Sequence, residues 1–208
     1  MIGQRYLLVG LGNPGLPYQL HRHNIGFMLM DVLADKNRLV FSRMRHQALI
    51  ATGSLADRPV VLAKPQTFMN ASGSAVARLA RFYRIEPQFL LVAYDDLDLP
   101  LGTVRFRAGG GSGGHKGMRS ILEQLGEQQF ARLRIGIGRP PGRMDPADYV
   151  LERFLPAEQE LRDVVLQEAA GGAMSFLQGG IELAMSRHNR CVGGTELVNQ
   201  SVGNSDGT

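Results

Sequence analysis

The sequence has 208 residues, 44% of them hydrophobic and 20% charged, a length that suits one domain with a substantial core. No apolar run approaches the roughly 20 residues needed to cross a bilayer, and one cysteine, Cys191, supplies no disulfide framework. The net charge of +4 is unevenly spread, because Arg43, Arg45, Arg78, Arg81, Arg84, Arg105, Arg107, Arg132 and Arg134 precede residue 135 while Asp145, Asp148, Glu152, Glu158, Glu160 and Asp163 follow it. That distribution fits a basic face for a polyanion and, equally, a solvated arginine-rich surface.

Tyr6 to Val9 is a short apolar run of the kind that makes a buried strand, too short and too soon broken by glycine for a signal peptide. The expected setting is therefore the cytoplasm or an organelle matrix, without a membrane. Gly10 to Asn24 follows, a turn-rich segment that delivers Asn13, His23 and Asn24 near the carboxyl end of a strand, a usual place for chemistry in an open α/β sheet. Ile25, Phe27, Met28, Leu29, Val32 and Leu33 then have helical spacing. Gly10-x-Gly12-x-x-Gly15 carries the letters of a dinucleotide fingerprint, but Pro14 and Pro17 delay the helix. Asp31 and Asp35 also lie inside the helical pattern rather than after a second strand, so no nicotinamide or flavin cofactor is expected.

After a loop at Asp35 to Asn37 comes alternation from Val40 to Ile50, a turn signal at Arg58-Pro59 and a strand at Pro59 to Ala63. Ala71 to Tyr83 reads as a helix with a core side, Val76, Leu79, Ala80 and Tyr83, and a basic side, Arg78, Arg81 and Arg84. Phe89 to Ala93 is continuously apolar, as expected where both faces of a sheet are covered, and it leads into a loop with Asp95, Asp96 and Asp98. Thr103 to Arg107 alternates, with both arginines on one side, before a glycine-rich loop from Gly109 to Gly117 and a helix through Met118, Ile121, Leu122 and Leu125. Leu133, Ile135 and Ile137 alternate with Arg132, Arg134 and Gly136, so Arg107 and Arg134 are presented outward from two strands, able to clamp one phosphate. Helix is expected from Pro146 to about Phe154 and from Pro156 to about Asn189, weakened at Gly171-Gly172 and Gly179-Gly180. Residues 191–208 form a polar, glycine-rich tail expected to be disordered, after a single domain spanning residues 1–190.

Three motifs tempt and fail. Gly110-x-Ser112-x-Gly114, with Asp163 and His188 later, has the order of an esterase triad, but its strand carries arginines and its serine sits among glycines. The same loop falls short of a phosphate-binding loop because His115 stands where lysine is required. His21-x-His23 lacks a third ligand at a recognised spacing, so no metal is expected. What remains is His23, Asp95, Asn13, Asn70 and His115 or Lys116, a set suited to hydrolysis by water that a histidine activates and a carboxylate orients.

Gly10-Leu-Gly-Asn-Pro-Gly15, Tyr18, Arg22-His23-Asn24, Lys64-Pro65-x-Thr67-Phe68-Met69-Asn70-x-Ser72-Gly73, Asp95-Asp96-Leu97-Asp98-Leu99-Pro100, Gly113-Gly114-His115-x-Gly117 and Arg132 to Gly138 resemble, in order and spacing, the bacterial-type peptidyl-tRNA hydrolases. The resemblance runs from about residue 6 to 185. It implies a single α/β domain with a mixed twisted sheet flanked by helices, acting as a monomer on the ester between peptide and tRNA with no cofactor and no metal. Carried over by position, His23 is the base and Asp95 its orienting partner; Asn13 and Asn70 contact the peptide and its scissile carbonyl. Tyr18 and Met69 line the cleft, and Arg107 and Arg134 grip the 5′-phosphate end of the tRNA. One departure is Lys116, where many members have asparagine; a charged donor there points to the terminal phosphates of the tRNA rather than to a held water. A module that binds or splices RNA on the same scaffold without hydrolysis is the alternative, and retention of Asn13, His23, Asn70 and Asp95 speaks against it.

Overall fold

The computed structural model describes residues 4–193. Eight strands form one mixed sheet in the order β2-β3-β4-β1-β5-β7-β6-β8 among the described residues, flanked by helices. The strands are β1 (Tyr6–Gly10), β2 (Arg43–Arg45), β3 (Ala48–Leu55), β4 (Arg58–Pro65), β5 (Leu90–Asp96), β6 (Thr103–Arg107), β7 (Ala131–Gly136) and β8 (Arg190–Cys191). The centre is parallel, β4-β1-β5-β7, and both flanks are antiparallel.

The helices are α1 (Ile25–Lys36), α2 (Ser72–Tyr83), α3 (Lys116–Leu125), α4 (Pro146–Tyr149) and α5 (Pro156–His188). Because successive strand residues point to opposite faces, β1 sends Leu8 into a core shared with α1 and α5, and Leu7 and Val9 into another shared with α2 and α3. Burial on both faces is what makes these central strands continuously apolar. Where β1 ends, α1 crosses so closely that a Cβ on Gly10 would stand 2.1 Å from the Gly26 carbonyl oxygen. Only glycine permits that approach, and it swings the segment holding Asn13 and His23 over the carboxyl ends of β1 and β5.

Several boundaries differ from the sequence expectation. Asp95 and Asp96 belong to β5 and are buried, rather than lying in a loop past it. The turn before β4 is Ala56-Asp57, both at positive φ, and Arg58-Pro59 already pair with β3. The helix expected from Pro146 to about Phe154 stops at Tyr149. Gly171-Gly172 remain helical, whereas Gly179 and Gly180 leave the helical region within α5. Cys191, the first residue of the expected tail, pairs with Thr103 at the sheet edge. The rest of that expectation, from residue 194 onward, lies outside the described residues.

Candidate functional site

A cleft of about 980 Å³ opens over the carboxyl ends of β1, β5 and β7. Asn13, His23, Met69, Asn70, Asp95, Arg107, Lys116 and Arg134 all line it. Tyr18 lies on the short turn Leu16–Tyr18, its ring edge-on against His21 at 5.4 Å.

At the floor, Asp95 is 3% exposed and receives two imidazoles. His23 Nδ1 lies 2.8 and 2.9 Å from its two oxygens, and His115 Nε2 lies 3.0 Å from one of them. The protons can be placed by partner chemistry. A carboxylate only accepts, so His23 Nδ1 carries the hydrogen and Nε2 keeps its lone pair. The Met118 amide donates to His115 Nδ1 at 3.2 Å, so the proton of that ring sits on Nε2 and also points at Asp95. Burial alone would raise the Asp95 pKa; electrostatic attraction to the His23 and His115 rings and the hydrogen bonds both rings donate outweigh it and hold the carboxyl well below its ordinary range. The ligand atoms of His23, Asp95 and His115 lie within 4.8 Å of one another, a spacing that a metal ion could bridge, yet two N–H donors facing one carboxylate account for it as a hydrogen-bonded triad.

His23 sits on the single turn Arg22–Asn24, whose backbone is tied to the segment after α4: the Arg22 and His23 amides donate to Glu152 and Val150 carbonyls at 2.9 Å each. Beneath it Arg22, 2% exposed, is held between the rings of Tyr149 and Phe154 and donates to Glu158 at 2.6 Å. Asn24 clamps Asn13 reciprocally, its Oδ1 accepting from the Asn13 amide and its Nδ2 donating to the Asn13 carbonyl, both at 2.9 Å. Asn13 Oδ1 accepts from the Met69 amide at 2.9 Å, which leaves the Asn13 Nδ2 donor facing the cleft beside His23. Met69 is buried, while Asn70 and Phe68 on the same turn are exposed to the opening.

The arginine pair is less symmetric than the alternation implied. In the β6–β7 register Arg105 faces Arg134 and Arg107 faces Arg132, so Arg107 and Arg134 are diagonal neighbours on one face. Arg107 is exposed, whereas Arg134 donates to Asp96, a buried carboxylate. Arg132 is 2% exposed rather than outward-facing; it reaches the carbonyls of Gly111 and Gln128 and tethers the glycine loop. Lys116 is exposed at the first turn of α3.

Asn24, Arg22 and Arg132 are positioning groups that the sequence displayed inside recognised blocks without revealing their work. Buried polarity is the signal, and it becomes visible only with coordinates. His188 offers nothing to Ser112, because its two nitrogens meet Ser175 at 2.9 Å and Glu168 at 2.7 Å, which removes the esterase triad.

The chain matches the family model described as peptidyl-tRNA hydrolase over residues 7–196. It is 50% identical to the peptidyl-tRNA hydrolase of Rhodococcus opacus over 182 residues, 87% of this chain and 96% of that one. It is also 50% identical to that of Chloroflexus aurantiacus over 185 residues, 88% and 98% of the two chains. The crystal structure of peptidyl-tRNA hydrolase from Acinetobacter baumannii superposes with a TM-score of 0.85 at 36% identity, covering 92% of this chain and 98% of that one.

Proposed function

This chain belongs to the peptidyl-tRNA hydrolase family and hydrolyses the ester between peptide and tRNA, and we propose that His23 performs the step as a general base on water. His23 Nε2 takes a proton from water, and the hydroxide adds to the ester carbonyl carbon. Asp95, ionised and fixed on Nδ1–H, holds the productive tautomer and stabilises the imidazolium as it forms. Asn13 Nδ2 and the Asn70 amide donate to the oxygen on which negative charge develops. Collapse expels the ribose oxygen, which recovers the proton from His23. The observation that carries this reading is the His23–Asp95 pair at 2.8 Å with Nε2 free over a cleft edged by two asparagines.

Around that centre, Phe68, Met69 and Leu151 offer an apolar wall to the peptide. Arg107 and Arg134 grip the 5′-phosphate end of the tRNA, and Lys116 meets its terminal phosphates. These groups all lie within a catalytic domain of residues 1–190, which acts as a monomer and returns tRNA from stalled or dropped-off products. A cytoplasmic location fits that role, and among the described residues no helix is long and apolar enough to cross a membrane. The non-hydrolytic RNA-binding alternative is not favoured, since binding alone has no use for an oriented imidazole.

The test is peptide release from N-acetyl-aminoacyl-tRNA. The intact chain releases it, His23→Ala loses nearly all turnover, and Ser112→Ala keeps it. Substantial release by His23→Ala overturns the mechanism.

A further inference from the structure

The hydrolytic site leaves unused the most basic part of the chain. Residues 38–85 contain eight Lys and Arg against a single acid, Asp57, whereas the remaining residues hold 15 against 18. Lys64 is paired with Asp31. The other seven, all arginine, make no ion pair among the described residues.

These arginines are gathered by the fold. On α2, Ser74, Arg78 and Phe82 recur at four-residue intervals and so form one stripe. Its two ends touch the β2–β3 hairpin: Ser74 Oγ donates to Gln47 at 3.3 Å, and the Phe82 ring lies 5.2 Å from His46 and 4.4 Å beneath the Arg45 guanidinium. Arg78, between those ends, therefore stands beside the hairpin. Arg43 is two residues from Arg45 on the same strand and projects from the same side. Phe82 is 50% exposed at the centre of this group. The hairpin lies at the β2 edge, on the opposite flank of the cleft from Arg107 and Arg134 on β6 and β7. It is continuous with the cleft through the Gln66 amide, which donates to the Gln47 carbonyl at 2.7 Å two residues before Phe68.

We propose that Arg43, Arg45, Arg78 and Phe82 form a second RNA-binding face that takes a phosphodiester backbone other than the acceptor end held at the cleft. Guanidinium forks match phosphate oxygens two at a time, and a half-exposed aromatic among them gives an unpaired base a surface to stack on. The choice of RNA over another polyanion rests on the RNA substrate of the neighbouring cleft; the face itself rests on the unpaired arginines.

The experiment measures binding of a 20-nucleotide single-stranded RNA with a 5′-hydroxyl, which gives the cleft arginines no terminal phosphate, by fluorescence anisotropy across a salt series. The intact chain is expected to bind with steep salt dependence. R43Q/R45Q/R78Q weakens binding at least tenfold and lowers the log–log salt slope by about 2, as expected for three lost phosphate contacts on a single strand. Arg107→Ala leaves it unchanged, and R43K/R45K/R78K retains most of the affinity, tying the effect to charge rather than to folding. Turnover of a short aminoacyl-nucleotide ester stays at the level of the intact chain in both triple variants, so loss of this face and loss of the hydrolytic reading are told apart. Equal RNA binding by the glutamine triple variant overturns the proposal. So does RNA binding that is unaffected while binding to phosphatidylserine vesicles is lost, which assigns the face to a membrane.

Discussion

At the residue scale the site turns on which atoms carry protons. Asp95→Asn is nearly isosteric, but its Nδ2 donor facing a ring nitrogen forces His23 into the other tautomer and puts a hydrogen on the atom proposed to act as base. A fall in kcat/KM on the order of 10³–10⁴ is expected, the scale seen when a triad aspartate is so replaced. Steady-state release of peptide measures it; a loss under tenfold would show that Asp95 does not set the tautomer. The same carboxylate leaves a signature in stability. Its pKa is depressed in the folded chain, so its contribution is present above the unfolded value of about 3.9 and is lost as the pH falls through the lower folded value. The drop in Tm between pH 6 and pH 3 is therefore expected to be smaller in Asp95→Asn than in the intact chain. Lys116→Asn removes the charge at the start of α3; if Lys116 meets phosphate, tRNA affinity falls and the salt slope decreases by about 1. Unchanged affinity and slope would remove that role.

At the scale of elements, the sheet edge and α5 depart furthest from what local pattern announces. His46-Gln47 and Ala56-Asp57 make two-residue turns with both residues at positive φ, which closes hairpins with the twist strands prefer. Neither pair contains glycine, and tertiary pairing overrides their weak local preference; hence the alternation from Val40 to Ile50 concealed a hairpin. Asp95 and Asp96 are buried in β5 because imidazoles and Arg134 offset the cost of removing carboxylates from water. In α5 the break is at Gly180, φ 77° and ψ −172°, a conformation essentially reserved for glycine. Gly180→Ala is expected to cost about 1–3 kcal/mol by denaturant unfolding with turnover unchanged. Stability equal to that of the intact chain would mean the kink is not fixed by this residue. Beyond it, His188 returns to Ser175 and Glu168, and Arg190 grips the same carboxylate. Burial opposes ionisation of Glu168, but the hydrogen bonds and electrostatic pull of Arg190 and His188 prevail and lower its pKa, so the end of α5 is pinned as β8 begins.

At the scale of the whole molecule, substrate is expected to be read at two separated places, the ester over β1 and β5 and the phosphate over β6 and β7. Arg107→Ala and Arg134→Ala should each lower kcat/KM on whole peptidyl-tRNA about 10–100-fold, the value of a charge-assisted hydrogen bond, while sparing a short aminoacyl-nucleotide ester. Equal losses on both substrates would count against the clamp. Arg134→Ala should also lower Tm, because it strands the buried Asp96, whereas Arg107→Ala should not.

The sequence by itself determined the α/β class, the apolar central strands, the order of the helices and the blocks that hold His23, Asp95, Asn13 and Asn70, because periodicity and short motifs are properties of neighbouring residues. Only the tertiary structure decided that His115 shares Asp95 with His23, that Asn24 fixes Asn13 and that Arg134 is partly occupied by Asp96. Those outcomes depend on hydrogen bonds between residues 11 to 72 apart in the chain. A linear pattern names donors and acceptors; burial and register choose which of them meet.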